Sequence, residues 1–137
     1  MSDLRSTITD EFQYTVENLL VRNKSILDQI TKYQDSCSRV NRNIVKATTH
    51  CGCIKILADK QKYPDNDSDF SLEDLKPMMN DHIQGDLCEN CRDLIEKEIG
   101  RNLFYLASLC NTLDLNLYDI IIKELNRVRM LGKFTLR

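Results

Sequence analysis

Glycine and proline are scarce, at 4 and 2 of 137 residues, tryptophan is absent, and aromatic residues make up only 7%. A β-sandwich or barrel needs turn residues at short intervals and aromatic, β-branched strands, so these shortages favour helices. No long apolar run is present; Ile120-Ile121-Ile122 is the longest aliphatic run near the C-terminus, far short of a membrane span. Neither sign of charge dominates, with 19 Lys and Arg against 21 Asp and Glu and a net of −2. That balance, and the lack of aromatics interleaved with the bases, disfavours nucleic acid as a partner. The opening MSDLRSTITDEF has no apolar segment of the signal-peptide kind, so a cytoplasmic location is expected. In that compartment six cysteines read as reduced thiols or metal ligands rather than a disulfide framework.

Apolar residues at 42% and charged residues at 29% suit a folded chain, and the length suits one domain over 1–137. The acids concentrate in residues 65–98, while Arg127, Arg129, Lys133 and Arg137 form a basic tail. A solvated helix end, favoured by the helix dipole, accounts for that tail.

Before the first proline, near-apolar residues fall at Phe12, Val16, Leu19, Asn23, Ile26, Ile30, Tyr33, Cys37, Val40, Ile44, Ala47 and Cys51. Steps alternating four and three mark a heptad seam. The pattern predicts one helix of about forty residues, or a helical hairpin broken near Asp35-Ser36-Cys37-Ser38, with Thr7 as a cap. Residues 61–87 read as an irregular loop region, with a short helical turn after Ser71. Helical spacing resumes from Cys88 to Asn111. After a break at Thr112–Leu115, Asn116 caps a last helix with Asp119 at its third position. Leu117, Ile121, Leu125 and Val128 are expected inward and Gly132 at the stop. The expected architecture is an all-α helical bundle, with a long N-terminal helix or hairpin and two C-terminal helices.

Cys51-Gly52-Cys53 and Cys88-Glu89-Asn90-Cys91 form a C-x-C and a C-x-x-C separated by 34 residues. Two close pairs of thiolates are what tetrahedral Zn²⁺ takes. In a regular helix Cys51 and Cys53 would point roughly 200° apart, so Gly52 must supply a turn. The C-x-x-C directly precedes a helix, whose N-terminal dipole favours thiolate. A structural zinc site is the favoured reading; buried thiols without metal and a redox pair are the alternatives. His50 is an alternative fourth ligand, and His82 is expected to be solvated. Cys37 and Cys110 lie on apolar stripes and read as core cysteines. Glu89, Asp93, Glu96 and Glu98 are candidate Mg²⁺ ligands, although a charged solvent face is the simpler account.

The stretch from Glu98 to Cys110, the break Asn111–Leu115 and the helix Asn116–Val128 together resemble the second half of the MazG-like all-α nucleoside triphosphate pyrophosphatases. That family places E-x-x-D on such a helix and E-E-x-G-E on an earlier one, where this chain has Thr49-His50-Cys51-Gly52-Cys53. The resemblance implies a helical scaffold, association of two copies through helices, and Mg²⁺ held by carboxylates against a triphosphate. Of those ligand positions only Glu98 keeps its carboxylate; Arg101 replaces the aspartate, and His50 and Cys53 stand where glutamates would. The expectation is a homodimeric, zinc-binding, non-catalytic protein acting on a protein partner. The alternative is a nucleotide pyrophosphohydrolase using Mg²⁺ held by the acids of 89–98.

Overall fold

The computed structural model describes residues 4–64 and 71–131. The all-α expectation holds, with one small hairpin added. Helix α1 (Leu4–Leu19) and helix α2 (Ile26–Lys46) are separate. The break lies at residues 20–25 rather than at Asp35–Ser38, which is inside α2. Asn23 adopts a φ of 57°, a left-handed conformation that asparagine tolerates better than most residues. Ser25 then caps α2, its side chain accepting from the Leu27 N–H at 3.3 Å. Thr7 is no cap, because α1 begins three residues earlier at Leu4.

A wide π-turn (Ala47–Cys51) follows α2 and leads into strand β1 (Ile54–Ile56). Helix α3 (Leu72–Leu75) is the short turn expected after Ser71, closed by reciprocal Ser71 and Asp74 hydrogen bonds of 3.1 and 3.3 Å. Strand β2 (Ile83–Gly85) comes next, then α4 (Glu89–Thr112) and α5 (Leu117–Leu131). The strands pair antiparallel, Ile54 with Gly85 and Ile56 with Ile83. Asn116 caps α5, accepting from the Asp119 N–H at 2.9 Å; Gly132 lies outside the described residues.

Helices α2 and α4 form an antiparallel pair. Gln29 Nε2 donates to Thr112 Oγ1 at 2.8 Å at one end, and Asn102 Nδ2 reaches Ser36 Oγ and Cys37 Sγ in the middle, both at 3.1 Å. Ala47 and Cys91 share a small core at the other end. Helix α1 lies along the C-terminal half of α4, where Val16, Ala107, Cys110 and Leu117 form a second core.

The buried face of α2 is centred beside the heptad seam rather than on it. Gln29 and Ser36 are buried against α4 and the seam residues Ile26, Tyr33, Cys37 and Val40 are half-buried, whereas Ile30 and Ile44 are 48% and 39% exposed. Ser36 is small enough to let the two backbones approach closely, and the buried polar side chains of Gln29 and Ser36 both find partners. Cys110 is buried as expected, but Cys37 is only half-buried. On α5 Leu117 alone of its expected inward residues is buried; Ile121, Leu125 and Val128 are exposed. No helix among the described residues is long and apolar enough to cross a membrane.

Candidate metal centre

Three local devices bring the cysteines together. The π-turn ends at Gly52, whose N–H donates to Ala47 O at 2.9 Å. Its φ of 80° turns the chain so that Cys51 and Cys53 reach one side, which a continuing helix forbids. The β1–β2 ladder then places the residues after Gly85 beside Cys53. Cys88 is the N-cap of α4, with its Sγ accepting from the Cys91 N–H at 3.4 Å.

The four sulfurs of Cys51, Cys53, Cys88 and Cys91 lie within 4.8 Å of one another. Cys51 Sγ and Cys88 Sγ are 3.8 Å apart. A tetrahedron with Zn–S bonds of about 2.3 Å has edges of about 3.8 Å, and a disulfide would need about 2.05 Å. The Cys51–Cys88 spacing matches such an edge, and the four sulfurs are close enough together to hold one ion. Ala47, Ile54 and Cys91 form a buried floor, with Cys53, Leu87 and Cys88 packed against it; Cys51 is open to solvent.

The site also sorts its protons. Cys88 is lowered to about 7, first because the Cys91 N–H donates to it and then because the Cys91 thiol does. Cys91 is pushed up to about 12, chiefly because its thiol hydrogen-bonds to Cys88 and secondly by burial. Ion binding must displace these protons.

His50 is exposed and stands outside the four-residue group. Among the described residues, Glu89, Asp93, Glu96 and Glu98 do not converge on a common point either. Glu98 instead faces Asp35, Arg39, Arg42 and Lys46 of α2 across a cavity of about 370 Å³. His82, expected in solvent, is partly buried with Nε2 3.0 Å from Asp59 Oδ1.

The hairpin that joins the two cysteine pairs is absent from the sequence reading. Its signals are slight, a three-residue Ile-Lys-Ile and an Ile-Gln-Gly. Gly85 has φ 87°, and a Cβ built there would lie 2.5 Å from the Cys53 carbonyl oxygen. Gly85→Ala is accordingly expected to destabilise the chain by about 2 kcal/mol or more and to weaken metal retention. Gly52→Ala meets no atom within 4 Å and should cost only about 1 kcal/mol, from its positive φ. Thermal melts of the two variants check the order; equal melting temperatures would contradict it.

No protein-family model, curated protein or solved structure matches this chain. The fold and the cluster define its class: a mostly helical protein with a four-cysteine group able to hold a metal ion.

Proposed function

We propose that this chain is a zinc-binding helical protein of MazG-like ancestry that acts by binding a partner and performs no catalysis. The observation carrying the proposal is the convergence of four cysteine sulfurs within 4.8 Å of one another. Soft thiolates select Zn²⁺ over Mg²⁺. Cys51, Cys53, Cys88 and Cys91 fill all four positions and leave none open for water or substrate, the mark of a structural site. Zinc there ties the end of α2 and the hairpin to the start of α4.

The surroundings of Glu98 support the non-catalytic half of the reading. Hydrolysis between the α and β phosphates of a nucleotide needs a divalent ion held beside the phosphates. Arg39, Arg42 and Lys46 line the cavity with Glu98 and Asp35; Asp35 is engaged by Arg39 at 2.9 Å, and the excess of cations opposes Mg²⁺ binding at Glu98.

Metal analysis of protein purified without chelator tests the reading, with one zinc per chain expected. Zinc titration near pH 7.5 should release at least two protons per ion, those of Cys51 and Cys91, which both titrate above the ordinary 9.0 and must leave before the sulfurs can bind metal. Zinc-free protein with six freely titrating thiols contradicts the proposal. No pyrophosphate release above background is expected from any nucleoside triphosphate with Mg²⁺ or Mn²⁺. Turnover that is lost in Glu98→Gln but kept in the cysteine variants moves the assignment to the pyrophosphohydrolase reading.

A further inference from the structure

The four cysteines of the cluster are unevenly shielded. Cys51 is exposed, Cys53 and Cys88 are half-buried, and Cys91 is buried. The elements that carry them set this order. Cys51 ends the π-turn at the surface, whereas Cys91 lies in the first turn of α4 against Ala47 and Ile54. Oxidation of a cysteine follows its thiolate character and its exposure. Bound zinc holds every ligating sulfur as thiolate, so exposure decides, and a dissolved oxidant meets Cys51 first.

A second sulfur is already in place to trap the product. Cys88 Sγ lies 3.8 Å from Cys51 Sγ, from a residue 37 positions along the chain. Closing that gap to the disulfide length of about 2.05 Å takes a small movement. The space around Gly52, where an added Cβ would meet nothing within 4 Å, leaves Cys51 room to make it. The other two sulfurs are held elsewhere. The Cys53 thiol donates to Ala47 O at 3.7 Å, and Cys91 is packed into the floor. The favoured bond therefore runs between the two cysteine pairs and not within the C-x-x-C.

We propose that the cluster is a redox switch, in which a hydroperoxide joins Cys51 to Cys88 and expels the metal; this rests on the zinc reading above. The Cys51 thiolate attacks one oxygen of hydrogen peroxide. The O–O bond breaks, hydroxide leaves, and the sulfur becomes a sulfenic acid, oxidised by two electrons as the peroxide is reduced. The Cys88 thiolate then attacks the Cys51 sulfur, forming the S–S bond and releasing a second hydroxide. Two protons from solvent turn both hydroxides into water. Zinc, left with two of its four ligands, departs as Zn²⁺, and Cys53 and Cys91 take up protons. A dithiol reductant, itself oxidised to a disulfide, restores the two thiols. The zinc form ties the π-turn, the hairpin and α4 together. The oxidised form keeps the end of α2 on α4, but only the small floor of Ala47, Ile54 and Cys91 still holds the hairpin.

Hydrogen peroxide added to the full-length chain, reduced and purified without chelator, tests the switch. Zinc content is measured first. A colorimetric zinc indicator then follows release, peptide mass mapping after alkylation locates the bond, and hydrogen exchange follows the β1 and β2 amides. One zinc released per chain, a Cys51–Cys88 disulfide and faster exchange of the β1–β2 ladder are expected, all reversed by dithiothreitol with added zinc. Cys37 and Cys110, outside the cluster, should stay reduced, so two of the six thiols disappear. Zinc retained under peroxide, a bond at any other pair, or unchanged ladder exchange overturns the switch and leaves the metal reading standing. Reduced protein without zinc overturns both.

Discussion

Replacing Cys91 by serine is expected to empty the metal site and lower the melting temperature by about 10 °C or more. Cys91 contributes twice. Its sulfur is one of the four that converge, and its side chain is part of the small buried floor with Ala47 and Ile54. That floor is too small to hold the hairpin to the helices unaided. Zinc binding to cysteine-rich peptides is worth about 10–16 kcal/mol at pH 7, so even a fraction of it dominates the local stability. A strong chelator should bring wild type down to the variant's melting temperature and leave the variant unchanged. Equal melting of wild type and variant, with no chelator effect on either, would refute the structural role of the metal.

Acid should act in the same direction. The Cys88 thiol titrates at about 7 in the folded chain, below the ordinary 9.0. A group with a depressed folded pKa contributes stability above its unfolded value and loses that contribution as pH falls through the folded one. Protons also compete with the ion for every sulfur. Zinc release is therefore expected as pH falls, at values below the metal-free Cys88 titration because the ion itself holds the thiolates, and to reverse on neutralisation; release that grows with rising pH would contradict it.

Gln13→Leu is expected to destabilise the fold by about 3 kcal/mol, the largest effect away from the cysteines. The Gln13 amide lies between α1 and the turn that joins α4 to α5. Its Nε2 donates to Asn111 Oδ1 at 2.9 Å and to Leu115 O at 2.7 Å. Its Oε1 accepts from the Leu117 N–H at 2.8 Å, a contact shut away from solvent. Leucine fills similar space but strands three polar groups, and stranding costs more than the bonds themselves are worth. Chemical denaturation measures it, and a loss under 0.5 kcal/mol would show that water replaces the amide without penalty.

Much of the site was legible because its signals are local. Two cysteine pairs at ligand spacing, a glycine between the first two and a helix directly after the second require no knowledge of the fold. Asn116 before α5 and the turn after Ser71 were legible for the same reason, since a cap is satisfied within three or four residues. The hairpin between the pairs was not, because strands of three residues show too little alternation to stand out. The break at Asn23 was marked in the seam by its one polar member. A left-handed asparagine and a tolerated buried one look alike in sequence, so the mark could not be read.

The sequence by itself determined the helical composition, the apolar stripe and the cysteine spacing, because propensity, period and ligand geometry are properties of neighbouring residues. Only the tertiary structure decided which side of each helix is buried. The stripe said that α2 is amphipathic, but the close α2–α4 approach brings Ser36 of α2 to Asn102 and Ala47, at the start of the π-turn, to Cys91. That contact turns Ile30 and Ile44 outward. Tertiary structure likewise brought Arg39, Arg42 and Lys46 around Glu98, because residues more than fifty positions apart become neighbours only when two helices pack antiparallel.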